Sequence, residues 1–317
     1  MTQAVPSTVD QSCDLCGGSN FETISEFDRH HKPLKTGLCQ GCGLLMHLPI
    51  PSEAEISAYY ANDYRHDYHG ENKPSVRRIM RAWNNGQRIV AQIKDHIPVN
   101  CQVFEVGAGI GCTVKSFETS GFNASGIEPN TDFNNYTHDI LHANVENINL
   151  YDLAANHSRD VVLLIHVIEH FVSPKRALKQ MRGLLKDDAL LYIECPNIGA
   201  PFATFDRMFH FAHIYNFTHN TLVSMAQSAG FEAVKTFTDA ANPDIQILFK
   251  KVAIPPHLDF DAQEAARSYG AIFRYNWFSY NLRVDYLLRR IIKLSAYAKE
   301  YAQATRFVKT LEEKFKA

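Results

Sequence analysis

Residues 101–112 read CQVFEVGAGIGC, an apolar run that ends in an acid and then carries a glycine at every second position. Such a run predicts a buried strand that turns sharply into a helix. In an open α/β sheet, ligands bind at turns of this kind, beyond the carboxyl ends of the strands. A dinucleotide motif of the form G-x-G-x-x-G needs its last glycine where this chain has Cys112. The turn therefore predicts a ligand-binding α/β sheet and disfavours a dinucleotide.

Short apolar runs alternate with helical stretches between about residues 100 and 250. The second of the helical stretches, SPKRALKQMRGLL, begins with Ser173 as N-cap and Pro174 at the first helical position. This alternation predicts a doubly wound α/β sheet. The predicted strands are CQVFEV, NASGIE, DILHAN, DVVLLI and ALLYIE, with FEAVKTF and IQILFKK closing the sheet.

The glycine turn and its flanking acids closely resemble the cofactor site of class I S-adenosylmethionine (SAM)-dependent methyltransferases. That family carries an acid just before a G-x-G-x-G turn and a second acid at the end of strand two, where this chain has Glu105 and Glu128. The resemblance implies a Rossmann-like methyltransferase sheet. Glu105 would meet the ammonium of SAM, Glu128 would accept from the ribose hydroxyls, and the residues after strand three would contact adenine. The implied cofactor residues are Glu105, Gly107, Gly109, Gly111, Glu128, Asn144, Val145 and His166.

Strand four ends in LLIHVIEHF, which resembles the V-L-E-H element of many methyltransferases. With the paired C-x2-C motifs, PIPSEAEISAYY and HIYNFTHNTLVSMAQSAGF, the resemblance runs from about residue 13 to 250. It points to a subgroup that includes methyltransferases of sugars in deoxysugar and surface-glycan pathways. It implies a sugar hydroxyl or amino acceptor, with O- before N- before C-methylation. The implied catalytic residues are His170 as general base, Glu169 as its orienting partner, His166 and His213.

Three other functions stay open at this point. A related E-x-x-E-H element binds a divalent cation in small-RNA 2′-O-methyltransferases and in ubiquinone-pathway O-methyltransferases. Here His166 replaces the first acid, and His210 or His213 would complete a ligand set for a second divalent metal. The protein would then catalyse metal-assisted methylation of RNA or of a quinone precursor. A non-catalytic SAM-domain scaffold and a NAD-dependent oxidoreductase are the other two.

Four of the seven cysteines form two C-x2-C pairs, CDLCGG and CQGCG. Two such pairs suit tetrahedral Zn²⁺, which would stabilise a segment too small for its own core. Up to position 48 the segment has three cations and five anions, the wrong balance for a phosphate-binding surface. We therefore expect a structural zinc ribbon and no nucleic-acid partner. The expected ligands are Cys13, Cys16, Cys39 and Cys42.

Composition and charge exclude several classes of protein. The chain of 317 residues is 45% hydrophobic and has a net charge of −2, so it lacks a global attraction to nucleic acid or to an anionic membrane. Its first ten residues lack a basic and an apolar region, and the longest apolar run, VVLLIHVI, is too short to span a bilayer. These features predict a cytoplasmic protein.

We divide the chain into four parts. Residues 1–50 are the zinc ribbon, 51–97 a helical linker, 98–252 the SAM-binding domain and 253–317 a C-terminal helical extension. The last segment, 282–317, has nine cations and four anions. A solvated helical face is the simpler interpretation of this charge, and self-association into a homo-oligomer is the alternative.

Overall fold

The computed structural model describes residues 11–62, 74–200, 203–254, 258–261 and 263–316. It contains a seven-stranded sheet in the order β10-β11-β8-β7-β4-β5-β6, and a four-stranded sheet in the order β1-β2-β3-β9. The strands are β1 Phe21–Phe27, β2 Pro33–Cys39, β3 Leu45–His47, β4 Gln102–Val106, β5 Asn123–Ile127, β6 Val145–Glu146, β7 Arg159–Ile165, β8 Leu185–Pro196, β9 Tyr215–Asn216, β10 Phe231–Thr236 and β11 Asp244–Lys251.

The seven-stranded sheet is the predicted doubly wound sheet. Strands β8, β7, β4, β5 and β6 are parallel, whereas β11 and β10 pair antiparallel at one edge. The α-helices are α1 Glu53–Asn62, α2 Val76–Ile93, α3 Cys112–Thr119, α4 Thr131–Tyr136, α5 Pro174–Leu184, α6 His219–Ser228, α7 Glu264–Ile272, α8 Trp277–Asn281 and α9 Val284–Phe315. Ser173 caps α5 through a bond from the Arg176 amide, as its sequence predicts.

The prediction of a strand at DILHAN is wrong. Helix α4 continues into a π-helical turn at Thr137–Leu141, and only the two residues of β6 are extended. Phe133, Thr137 and Leu141 recur at helical spacing, with Thr137 and Leu141 buried. This apolar face follows a helix that is already capped by Asn130, so it extends the helix instead of forming a strand.

The four-stranded sheet joins the ribbon to the rest of the fold. Its fourth strand, β9, lies in the insertion that follows β8, and it pairs antiparallel with β3. The cysteines pack in the same apolar core as Ile193 and Phe217. Asp14 also accepts hydrogen bonds from the Ser173 hydroxyl at 2.7 Å and the Lys175 amide at 2.9 Å, at the start of α5.

The C-terminal extension is helical, as predicted, and only part of it packs on the sheet domain. The end of α9 lies against α2: Ala304, Val308 and Leu311 are buried, and Arg81 forms an ion pair with Glu300. The first half exposes large apolar side chains, namely Leu287, Leu288, Ile291, Ile292 and Leu294. In the described part of the chain, no helix has the length and apolarity to cross a membrane.

Candidate active site

The glycine turn lies between β4 and α3, and all three of its glycines have positive φ angles. A Cβ at Gly107 would lie 2.7 Å from Val167, and a Cβ at Gly111 would collide with Thr137. A Cβ at Gly109 would meet no atom within 4 Å among the described residues. Packing therefore requires glycine at two positions, whereas Gly109 faces open space in which a ligand can approach the backbone.

Glu128 holds the turn in place from the end of β5. Its Oε2 accepts from the Gly109 amide and its Oε1 from the Asn130 amide, each at 2.8 Å. Burial raises the pKa of this carboxyl, while the two amides act in the opposite direction. Each carboxylate oxygen keeps lone-pair capacity for a further donor, such as a hydroxyl of a ligand.

Glu105, at the end of β4, is a buried carboxyl with one unsatisfied oxygen. The residue is 4% exposed, and its Oε2 has no hydrogen-bond partner in the described part of the structure. Burial raises its pKa to about 8, opposed by the Thr113 hydroxyl and assisted by the charge of Glu128. A buried carboxylate without a partner is costly, so this position suits a ligand that brings a positive charge.

His166 follows β7 in a left-handed conformation, with φ of 52°, which is uncommon for a non-glycine residue. Its Nε2 lies 3.5 Å from Glu194 Oε1 and its Nδ1 lies 3.7 Å from Glu169 Oε1. Burial alone would lower the pKa of this imidazole, but the two carboxylates raise it to about 10. His166 is therefore positively charged at neutral pH and cannot serve there as a base.

The Glu169 carboxylate lies among imidazoles. Its Oε1 is 3.8 Å from Nε2 of both His170 and His213, too far for a hydrogen bond, and neither of its oxygens has such a partner among the described residues. His170 Nδ1 lies 2.7 Å from the Ala212 carbonyl. A carbonyl only accepts, so Nδ1 carries the proton and Nε2 of the neutral ring carries none.

Burial keeps these imidazoles neutral. It lowers the pKa of His170, against the opposing effect of Glu169, and it lowers that of His213 well below the usual range. The site thus combines one charged imidazole, at His166, with two neutral ones around a buried carboxylate. The ligand atoms of Glu169, His170 and His213 all lie within 4.8 Å of one another, a spacing that could hold a metal ion.

The sequence reasoning missed two acids of this site. Glu194, at the end of β8, accepts from Tyr192 at 2.8 Å and from Arg88 Nη2 at 2.6 and 2.8 Å. Asp244 begins β11, and one of its carboxylate oxygens lies within 4.8 Å of a ring nitrogen of His166 and of a carboxylate oxygen of Glu194. An acid at the carboxyl end of the apolar run ALLYIE was the available signal for Glu194. Asp244 comes from an antiparallel strand, whose register a single sequence does not define.

The adenine contacts assigned to Asn144 and Val145, after the third predicted strand, remain predictions. Asn144 is exposed, and its amide donates to Glu118 at 3.0 Å. Val145 packs its side chain into the core on the α2 and α3 side of the sheet.

The four cysteines of the two C-x2-C motifs converge as their spacing predicts. The Sγ atoms lie within 4.8 Å of one another, with Cys13 and Cys42 3.6 Å apart and Cys16 and Cys39 3.4 Å apart. These distances exceed a disulfide bond and suit four thiolates around one ion. The donor set is that of a structural zinc site.

Together these features define the class of protein. A parallel sheet with an acid and a glycine turn after one strand, and a second acid after its neighbour, binds a nucleoside-containing cofactor at its carboxyl edge. The chain belongs to the methyltransferase domain family, whose model matches residues 64–236, and it is a SAM-dependent methyltransferase. This assignment excludes the scaffold and the NAD-dependent oxidoreductase. No curated protein matches the chain.

Several solved structures similar to this chain are methyltransferases. The 1,6-didemethyltoxoflavin-N1-methyltransferase of Burkholderia thailandensis is 16% identical, with a TM-score of 0.49, over 66% of this chain and 96% of its own. A SAM-dependent methyltransferase of Archaeoglobus fulgidus is 17% identical, with a TM-score of 0.42, over 52% and 94%. The CcbJ methyltransferase of Streptomyces caelestis is 15% identical, with a TM-score of 0.45, over 53% and 90%.

We expect SAM binding to release a proton from Glu105. Because its pKa lies at about 8 in the free protein, the carboxyl is mostly protonated at pH 7, and the incoming ammonium favours its charged form. Calorimetry at pH 7 in two buffers of different ionisation heat should show release of most of one proton. The release should decline as pH rises above 8, where Glu105 is already ionised. Equal release by Glu105→Gln would contradict this assignment.

Proposed function

We propose that the protein transfers the methyl group of SAM to a hydroxyl or amino group of a sugar, in a nucleotide sugar or a surface glycan. The observation that carries the proposal is the neutral His170 beside the Glu169 carboxylate, in the segment after β7 whose Val167 lies against Gly107. O-methylation ranks before N- and C-methylation because a hydroxyl must lose its proton as it attacks.

The residues of the turn fit SAM. Glu105 has the unsatisfied oxygen that an ammonium would complete, Gly109 leaves room beside the backbone, and Glu128 keeps acceptor capacity for ribose hydroxyls. Bound SAM supplies an electrophilic methyl group on its sulfonium. The protein must then orient an acceptor atom towards that methyl group and remove a proton from it.

His170 is the proposed base. The Ala212 carbonyl fixes its tautomer and leaves Nε2 as the proton acceptor. The imidazolium that forms would be stabilised by Glu169, whose Oε1 lies 3.8 Å away. The charged His166 and the acids Glu194 and Asp244 line the same region and offer the donors and acceptors that sugar hydroxyls require. His213 and Glu169 complete the catalytic group.

We also propose that the four-cysteine site binds structural Zn²⁺. The thiolates fit the ion, and the ribbon's cysteines share a core with the sheet domain. Three cations against five anions over residues 1–48 disfavour a nucleic-acid-binding ribbon. The ribbon's role is then to hold the insertion that carries His213.

Metal-assisted methylation is the second candidate, with RNA or a quinone precursor as the acceptor. It is favoured by the convergence of Glu169 Oε1 with two neutral imidazole lone pairs. The Nδ1 bond of His170 to a backbone carbonyl is the usual second contact of a metal-binding histidine. In this alternative the ion would orient the acceptor oxygen and lower its pKa.

Methyl-transfer assays with labelled SAM would test the acceptor class. We expect label on a nucleotide sugar or on isolated envelope glycan, without added metal and with a chelator present at a concentration that spares the ribbon zinc. Label only on RNA or on quinone precursors, restored by a divalent ion after chelation, would overturn the sugar proposal in favour of the second candidate.

A further inference from the structure

A cavity of about 800 Å³ lies between the C-terminal helices and the loops after β8 and β10. Its walls carry four cations and, in the described part of the chain, no acidic residue, although the whole protein has a net charge of −2. The cations are Arg274, Arg283, Arg290 and Lys293. This concentration of one charge in one cavity suits an anionic ligand.

Four tyrosines alternate with the cations: Tyr275, Tyr280, Tyr286 and Tyr297. The Arg283 guanidinium lies 4.5 Å from the ring centre of Tyr275 and 4.6 Å from that of Tyr280. Lys293 lies 5.6 Å from the ring centre of Tyr297. Where guanidinium groups lie beside aromatic rings, the guanidinium groups can bind phosphate oxygens and the rings can stack on a planar base of the same ligand.

One wall of the cavity is connected through the chain to the histidine and carboxylate site. Asn197, just after β8, donates its amide to the Pro243 carbonyl at 2.7 Å and thereby fixes the loop that forms one wall. Pro243 is followed directly by Asp244, which has a carboxylate oxygen within 4.8 Å of a ring nitrogen of His166 and of a carboxylate oxygen of Glu194. A ligand held in the cavity can therefore present an attached group to this site.

We propose that this cavity binds the nucleoside diphosphate part of the acceptor, so that the attached sugar reaches His166 and His170. The inference rests on the proposed function and narrows its acceptor to a nucleotide sugar. The arginines and Lys293 bind the diphosphate, and a tyrosine stacks on the base. The volume is that of a small-molecule site. A single-stranded nucleic acid would need a longer basic surface than a cavity of this size, in a protein of net charge −2, provides.

Calorimetry on the zinc-loaded protein with S-adenosylhomocysteine would test the cavity directly. The probes are UDP, ADP, GDP, TDP and inorganic pyrophosphate. At least one nucleoside diphosphate should bind more tightly than pyrophosphate. Arg290→Gln with Lys293→Gln should weaken it about tenfold or more, the loss expected for one charge-assisted hydrogen bond. Tyr297→Leu should weaken the nucleotide and spare pyrophosphate.

The matched control is Lys299→Gln with Arg306→Gln, which removes two exposed cations from the same helix outside the cavity. It should leave nucleotide affinity unchanged. Equal losses in both double variants, no binding of any nucleoside diphosphate, or tighter binding of a ten-nucleotide single strand would overturn the cavity assignment.

Transfer assays separate this inference from the proposed function. Methylation of a nucleotide sugar whose KM rises about tenfold in the Arg290 and Lys293 variant, at unchanged SAM affinity, supports both. Methylation of a glycan, with no binding of nucleoside diphosphates, would contradict the cavity assignment and would agree with the proposed function. Nucleotide binding without methylation of any sugar would support the cavity assignment and contradict the proposed function.

Discussion

Replacing Cys39 with serine should destabilise the protein by at least about 4 kcal/mol, the scale of losing a structural metal. At 2–4 °C of melting temperature per kcal/mol, this corresponds to a fall of roughly 10 °C or more. Cys39 is fully buried, and its Sγ lies 3.4 Å from that of Cys16 within the four-cysteine site. Thermal unfolding and zinc analysis of the purified variant would measure both effects.

The same substitution should lower kcat, although the ribbon lies outside the cofactor site. His47, in β3, donates its amide to Ile214 at 3.0 Å, and β9 pairs with β3 immediately afterwards. His213 precedes this junction and faces Glu169. Loss of zinc should therefore displace His213, while SAM affinity changes little because Glu105 and Glu128 lie on β4 and β5.

Cys101→Ser is the matched control, because Cys101 is 5% exposed and lies outside the four-cysteine site. It should retain zinc and lose about 1 kcal/mol, the scale of a hydroxyl in an apolar position. If Cys39→Ser retained full zinc content, or lost no more stability than this control, the four-cysteine site would not be a structural metal centre.

The geometry of the glycine turn could be predicted from sequence because it is local. Glu105 and the three glycines fall within seven consecutive positions, and Glu128 directly follows the next strand of the chain. Positive φ angles and close packing constrain those positions within the turn itself. Short-range geometry of this kind is visible in one sequence.

The histidine and carboxylate cluster depends on pairings between distant segments of the chain. Arg88 reaches Glu194 across 106 positions, and Asp244 reaches the same region only through the antiparallel pairing of β11 with β8. The strand β9 that completes the ribbon sheet has two residues and no periodicity of its own. Such contacts depend on tertiary packing, which local patterns do not specify.

Self-association through the exposed start of α9 remains a prediction.

His170→Ala should reduce kcat by about 10²- to 10⁴-fold, the usual contribution of a general base, with little change in SAM affinity. His170 ends the short helical turn Ile168–His170 that follows β7, whereas Glu105 lies in β4 and Glu128 directly follows β5. Single-turnover transfer of labelled methyl and calorimetry with SAM would measure the two quantities separately.

His157→Ala is the matched control, since His157 precedes β7 at the other end of the same strand and is exposed. It should retain the rate of the unmodified protein. Loss of SAM affinity in His170→Ala, in parallel with the rate, would indicate a structural role for His170 and contradict its assignment as the base.

Glu169→Gln distinguishes the base from a metal ligand. If His170 acts as a base, the glutamine keeps a hydrogen-bonding group near Nε2 but removes the charge that stabilises the imidazolium, and kcat should fall about tenfold to a hundredfold. Divalent ions, and chelators at a concentration that spares the ribbon zinc, should not alter the rate of either protein. If Glu169 is instead a metal ligand with His170 and His213, the variant should lose one equivalent of metal beyond the ribbon zinc. Its activity should then fall with the metal content, and His213→Ala should show the same loss. Measuring metal content and rate on the same samples would thus decide between a proton acceptor and a metal centre around one buried carboxylate.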